Sequence, residues 1–174
     1  VMFQWNEEMV RFMRDASEYS DYHRRLVQWM LPDLHPGDHI CDAGCGLGYL
    51  SLALSPYVRR VTAADRSQEA LSVLRENCAR RAVHNIDIRP GDICAHSPDA
   101  AYDAMVFCFF GTIEEVAAIA RDQCRGTVFV FKKHYTTHRF SVGSHPTGHA
   151  GNGPASALHG GGTAFFSALQ PRRG

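Results

Sequence analysis

Residues 40–48 read ICDAGCGLG, in which an acid, Asp42, precedes three glycines at 44, 46 and 48, directly after a short apolar run. A strand that turns through glycines into a helix lets a ligand come close to the backbone and aims N–H groups at it. Gly44, Gly46 and Gly48 follow G-x-G-x-G rather than the dinucleotide G-x-G-x-x-G. No Lys-Ser or Lys-Thr pair comes after them, which excludes the phosphate loop of a nucleotide triphosphatase. Asp42 stands where a bound anion would be least welcome. Asp65 comes 21 residues after Gly44 and ends the stretch RRVTAAD, a natural distance for a carboxylate accepting both hydroxyls of a ribose. Dinucleotide-binding folds share that feature, so Asp65 alone does not choose a cofactor. A third acid, Asp92, lies in GDI at 91–93. Singly, each acid also reads as a turn residue and each glycine as a packing device.

The elements that must carry these residues follow from apolar periodicity. Residues 6–31 place Met9, Phe12, Met13, Ala16 and Tyr19, then Leu26, Val27, Met30 and Leu31, at helical spacings that end before Pro32, predicting one or two amphipathic helices. HICDA is a short strand, the glycines open a helix through YLSLALS, and RRVTAAD is a second strand. Ser67 caps a helix over about 68–81, with Leu71, Leu74 and Cys78 on its buried face. IDIRPGD predicts a third strand and AMVFCFF a fourth. Thr112 and Glu115 form a capping box for a helix over 113–123, and GTVFVFK is a fifth strand. Strands without clean alternation, separated by helices, predict an α/β fold: a doubly wound, Rossmann-like, mostly parallel sheet covered on both faces.

With this order in place, the glycine segment resembles motif I of the class I S-adenosylmethionine-dependent methyltransferases, in which an acid and GxGxG wrap the amino acid end of the cofactor. The resemblance covers about residues 35–132. It implies that Asp42 approaches the methionyl ammonium, that Asp65 takes the ribose hydroxyls, and that Asp92 accepts the adenine amino group with Ile93 in the apolar surroundings. An ammonium and sulfonium ligand explains an acid at 42, whereas a pyrophosphate does not. Gly44, Cys45, Gly46 and Gly48 form the loop, and Arg66 lies over the adenosine or is simply solvated. The helical start often forms a lid in this family. That places Tyr19, Tyr22 and His23 near the ligands, with Tyr22 as the cofactor-side contact. The implied cofactor is S-adenosylmethionine and its product S-adenosylhomocysteine.

Methyl transfer from a sulfonium is an in-line displacement that alignment can drive without a dedicated base, so no catalytic residue is assigned. Relatives that methylate nucleic-acid amines carry an Asn or Asp, prolines and an aromatic after the fourth strand. CFFG at 108–111 lacks those carbonyl acceptors. The expected substrate is therefore a small organic molecule, not nucleic acid, with Phe109 and Phe110 either facing it or belonging to the core. His134 and Tyr135, just beyond the fifth strand, are further substrate candidates. His134 serves as a base on a hydroxyl or thiol, or is one of ten histidines without a role. His134 with His138, and His145 with His149, need a helix to make a zinc site, and Gly143, Pro146 and Gly148 argue against one. No metal is expected.

Six cysteines without a CxxC pair fit a reduced compartment, and with no long apolar run and no signal-peptide pattern at the start a cytoplasmic protein without membrane contact is expected. Formal net charge is zero over 174 residues, yet all 18 acids lie at or before Asp122. From Ser144 to Gly174 there are seven glycines, three prolines and no acid, a composition poor for folding. The division expected is a helical lid region at 1–34, the cofactor-binding domain at 35–143 and an atypical Gly-rich tail at 144–174. Complete relatives add a C-terminal strand hairpin beside the fifth strand, and this chain is expected to lack the usual complete hairpin. The exposed edge of GTVFVFK is then covered by HRFSV and TAFFSAL, covered by a second copy in a homodimer, or left bare in a truncated form. Two other functions stand beside methyl transfer: an inactive adenosylmethionine-binding or structural module, and an NAD-linked reductase. The glycine spacing and the lack of a Tyr-x-x-x-Lys pair disfavour the reductase.

Overall fold

The computed structural model describes residues 5–95, 98–134 and 163–169, with side chains for 5–95 and 98–132. Two helices come first, α1 (Glu7–Tyr19) and α2 (Tyr22–Met30), broken at Ser20 and Asp21. Strands and helices then alternate as β1 (His39–Ala43), α3 (Tyr49–Leu54), β2 (Arg60–Asp65), α4 (Gln68–Arg80), β3 (Ile86–Pro90), β4 (Tyr102–Cys108), α5 (Ile113–Gln123) and β5 (Cys124–His134). A last strand, β6 (Thr163–Leu169), follows.

These strands form one sheet in the order β3-β2-β1-β4-β5-β6, parallel except for β6. Parallel neighbours need crossovers, which α3, α4 and α5 supply between β1 and β2, β2 and β3, and β4 and β5, while β3 and β4 are joined through a 3-10 turn at Ile93–Ala95. The order reverses between β1 and β4, and there the two following loops diverge to leave a crevice at the carboxyl edge. Apolar side chains of β1, β4 and β5 fill both faces. Ile40, Val106, Phe129 and Phe131 pack with α2 and α3 on one side. Cys41, Met105, Phe107 and Val130 pack with Val116 and Ile119 of α5 on the other.

Local signals set the helix starts. Ser67 accepts from the Ala70 N–H at 3.1 Å. Thr112 and Glu115 exchange both bonds of the capping box, at 3.2 and 2.7 Å. Two boundaries differ from the sequence expectation. β4 begins at Tyr102 and stops at Cys108, because Phe109 turns to φ +56° and leaves the extended region, so the apolar run through Phe110 is not all strand. The TAFFSAL segment, in the stretch read as a poor folding unit, pairs antiparallel with β5 from Val128↔Leu169 to His134↔Thr163 and so covers that edge. HRFSV lies outside the described residues. α1 buries no residue completely, and Phe12 and Tyr19 of its apolar set are 66% and 92% exposed. It is tied to α4 by Glu18 and Arg80 at 3.1 Å.

Candidate functional site

The crevice at the carboxyl edge is lined by ten side chains and loop residues proposed from sequence for the cofactor: Tyr22, Asp42, Gly44, Cys45, Gly46, Gly48, Asp65, Arg66, Asp92 and Ile93. Phe109 lines the same space. Tyr135 and the side chain of His134 lie outside the described residues, and so do His138, His145 and His149. Among the described residues no group of three or more His, Cys, Asp or Glu side chains is placed to hold a metal ion. No described helix is long and apolar enough to cross a membrane.

The glycine loop is held from below and from the side. The N–H groups of Gly44 and Cys45 both donate to the Ala64 carbonyl, at 2.8 and 3.0 Å. Gly46 takes φ +53°, and its N–H donates to the Asp65 carboxylate at 2.8 Å. The other oxygen of Asp65 accepts the Ser67 N–H at 2.9 Å. Asp65 therefore couples the loop after β1 to the start of α4, while each of its oxygens keeps a further lone pair for a ligand. Gly48 takes φ +76° where α3 begins, and a Cβ there would sit 2.3 Å from Leu74, so glycine is required on two counts.

Asp42 is only 1% exposed and accepts the Ser51 hydroxyl at 2.6 Å. Burial pushes its carboxyl up to about 6; the Ser51 hydrogen bond opposes the rise and the Asp65 charge adds to it. Burial, and then the charges of Asp42 and Asp65, push the neighbouring Cys45 thiol well up. Asp92 accepts the Cys94 N–H at 2.9 Å and is ion-paired with Arg66. The Cys94 N–H first, and the Arg66 guanidinium after it, hold its carboxyl below the usual range against the opposing push of burial. Arg66 and Asp92 thus meet each other on one wall of the crevice, a pairing that no sequence spacing announces. Ile93 is buried against the core, and its carbonyl accepts from Gln123 at 2.8 Å.

The opposite wall comes from β4 and β5. Phe109 is 48% exposed toward the crevice, and its N–H donates to the Phe131 carbonyl at 2.8 Å. Phe110 turns back against Phe107, with ring centroids 5.5 Å apart, and approaches the Gly44 backbone. The Lys132 ammonium donates to the carbonyls of Phe110 and Gly111. At the back, the Tyr22 hydroxyl is shut from solvent beside the Cys108 thiol without a hydrogen bond of ordinary geometry. Burial, with Cys108 adding to it, raises that phenol's pKa, so the group remains a proton donor. His23 stacks on Tyr49 at 6.0 Å, and burial lowers its pKa to about 4, which leaves the imidazole neutral.

Sequence reasoning missed Ser51, Lys132 and the side chains that α1 and the residue before its cap hold over the crevice, among them Trp5, whose indole lies against Gly46. Ser51 carries a local signal, since a hydroxyl early in the helix after the loop is within reach of the strand-end acid. Trp5 and Lys132 act across the fold and carry none.

Comparison with known proteins agrees with this geometry. Residues 40–126 match the family described as Methyltransferase domain. Malonyl-[acyl-carrier protein] O-methyltransferase of Serratia marcescens is 42% identical over 76 residues, covering 43% of this chain and 27% of that protein. Cobalt-precorrin-6B C(15)-methyltransferase (decarboxylating) of Salmonella typhimurium is 44% identical over 62 residues, covering 34% of this chain and 32% of that protein. The chain thus spans about a third or less of the length of these relatives. Among solved structures, an S-adenosylmethionine-dependent methyltransferase from Thiobacillus denitrificans in complex with S-adenosyl-L-homocysteine shares the fold, with TM-score 0.59 and 14% identity over 68% of this chain and 51% of that one. The chain belongs to the class I S-adenosylmethionine-dependent methyltransferases, whose cofactor is S-adenosylmethionine and whose spent cofactor is S-adenosylhomocysteine.

Proposed function

We propose that this chain binds S-adenosylmethionine in the crevice and directs its methyl group to a small organic acceptor. The observation that carries the reading is the set of three acids, Asp42, Asp65 and Asp92, at or just past the carboxyl ends of β1, β2 and β3, gathered around a left-handed glycine loop. The donor set suits the ligand: a buried acid for a cation, a carboxylate with spare lone pairs for a diol, and a partly exposed acid for an amine. A buried phenol whose hydroxyl makes no hydrogen bond of ordinary geometry is the mark of a site made for something else to occupy.

When bound, the cofactor supplies an electrophilic methyl group on a sulfonium, which an acceptor displaces in line. Asp42, braced by Ser51, would hold the methionyl ammonium, with the Tyr22 hydroxyl as a donor on the same side. Asp65 would take the ribose hydroxyls while keeping Gly46 in place. Asp92, oriented by Cys94 and Arg66, would meet the adenine amino group beside Ile93. Residues 35–143 would form the binding domain and residues 1–34 its lid, with Trp5, Met9 and Phe12 excluding water from above. The crevice, about 1540 Å³, exceeds the ~300–1,000 Å³ of a pocket for one ligand, which supports an acceptor beside the cofactor. CFFG at 108–111 and the aromatic wall favour an apolar small molecule over a nucleic acid base.

Calorimetric titration with S-adenosylmethionine and S-adenosylhomocysteine tests the reading. Micromolar binding by the wild-type chain, lost in Asp65→Ala, is the expected result. A folded chain that binds neither would overturn it and favour the module that keeps the motif only as scaffold.

A further inference from the structure

Among the buried residues of α3, Tyr49, Leu50, Leu52 and Leu54 pack into the core, whereas Ser51, fully buried as well, turns its hydroxyl to Asp42 and donates to Oδ2 at 2.6 Å. A bond that short between a hydroxyl and a carboxylate is of the charge-assisted kind, roughly twice as strong as a neutral pair. It ties α3 to the end of β1. Asp42 also lines the crevice, and a carboxylate held at one oxygen keeps acceptor sites for a ligand. The groups that face it come from several elements. Asp65 of β2 is a like charge, while Cys41 of β1, Cys45 of the glycine loop and Cys108 of β4 bring thiols that burial keeps protonated, with the equally protonated Tyr22 phenol of α2 beside Cys108. None of the described groups that act on Asp42 is a cation. Burial, and with it the Asp65 charge, favours a proton on Asp42, whereas Ser51, through its hydroxyl and then its own N–H, favours the charge.

We propose that Ser51 is the positioning residue for the amino acid end of the cofactor: it holds the Asp42 carboxylate in its charged form at the crevice, where the ligand's ammonium and a proton compete for the same buried acid. This rests on the methyltransferase reading of the crevice and adds a proton linkage to it. A cation entering beside Asp42 brings the opposite charge that its surroundings lack, and any proton on the carboxyl leaves to solvent. Below about pH 6 that proton must first be displaced, so affinity falls with pH, whereas above it affinity is level. The bond from Ser51 sets where the bend lies, since without it the carboxyl keeps its proton to higher pH.

The test is calorimetry on the full chain with two probes: S-adenosylhomocysteine, and 5′-methylthioadenosine, which shares the adenosine and thioether but has no amino acid end. From about pH 5 to 7.5 the first probe keeps both its ammonium and its carboxylate. In the wild type the ratio of the two affinities should be level above about pH 6 and fall about tenfold per pH unit below it. Ser51→Ala should bind S-adenosylhomocysteine about threefold to tenfold more weakly at pH 7, move the bend up by about one pH unit and leave 5′-methylthioadenosine unchanged. Carbon NMR of the Asp42 carboxyl in the ligand-free chain should show the same upward move of its titration. A wild-type ratio that ignores pH, or one that Ser51→Ala leaves alone, overturns the proposal. Equal losses of both probes in Ser51→Ala reduce Ser51 to a packing role and overturn it too. Failure of the wild-type chain to bind either probe strikes the methyltransferase reading instead, and the carboxyl titration, which needs no ligand, still decides whether Ser51 holds the charge on Asp42: a titration unmoved by Ser51→Ala overturns it.

Discussion

The two walls of the crevice are built from opposite chemistry. On the β1–β3 side stand three carboxylates, one almost fully buried, held by loop N–H groups and by a hydroxyl. On the β4–β5 side a half-exposed ring sits on a turn closed by the chain's own ammonium and capping box. The first wall retains polar groups whose burial costs stability until a ligand answers them. The second is satisfied internally and offers only shape. A site divided in this way can keep one ligand constant while the other varies, because the polar wall dictates chemistry and the apolar wall dictates outline.

The largest expected effect lies on the first wall. Gly48→Ala combines a left-handed backbone with a Cβ 2.3 Å from buried Leu74, and it should cost about 3 kcal/mol or more in urea unfolding. Gly37→Ala, where a Cβ meets nothing within 4 Å, is the control and should be nearly neutral. Equal effects would mean that the loop does not demand glycine.

Asp42 comes next. Between about pH 4 and 6 the folded chain keeps a proton on Asp42 that the unfolded chain has lost, so its contribution to stability is complete below about pH 4 and declines as pH rises to about 6. Asp42→Asn should therefore stabilise the ligand-free chain at pH 7, by up to ~3 kcal/mol, while abolishing cofactor binding. Stability and affinity falling together would show that Asp42 serves packing, and the contrast between the walls would fail.

A smaller effect is expected for Asp65→Asn. The amide presents an NH₂ group to one of the N–H donors, of Gly46 or Ser67, that the carboxylate now accepts. S-adenosylhomocysteine affinity should fall about tenfold to a hundredfold by calorimetry. Phe109→Gly, on the other wall, should leave that affinity alone.

At pH 7 the smallest effect belongs to His23, which is neutral there in both states. The unfolded histidine gains its proton below about pH 6.5, while the folded one resists until about 4, so the stability it contributes is full above that window and is lost as the pH falls through it. His23 and Asp42 thus act with opposite signs over a shared range. Thermal melts of His23→Gln should show stability declining more steeply from pH 4 to 6 than in wild type, and Asp42→Asn should show it rising. Parallel profiles for all three proteins would remove both groups from the account.

Much of this was legible because it is local. Thr112 and Glu115 are three residues apart and cap α5 whatever surrounds them, and Ser67 does the same for α4. The spacing of Gly44, Gly46 and Gly48 reports backbone angles that other residues resist, and Asp42, Asp65 and Asp92 each follow from their distance to a strand end. Phe109 shows where such reasoning stops. Its run AMVFCFF has strand composition throughout, yet the strand ends at Cys108 because Phe131 and Lys132, more than 20 positions away, bind the turn.

The sequence by itself thus determined the alternation of strands and helices, the helix starts and the acids at the strand ends, since propensity, capping and glycine geometry act within a few residues. Only the tertiary structure decided that Arg66 meets Asp92, that Trp5 lies over Gly46, that TAFFSAL pairs with β5, and that Lys132 binds the carbonyls of Phe110 and Gly111. Each of these contacts joins distant segments, whose approach is set by the packing of the whole sheet and not by any property of the residues taken alone.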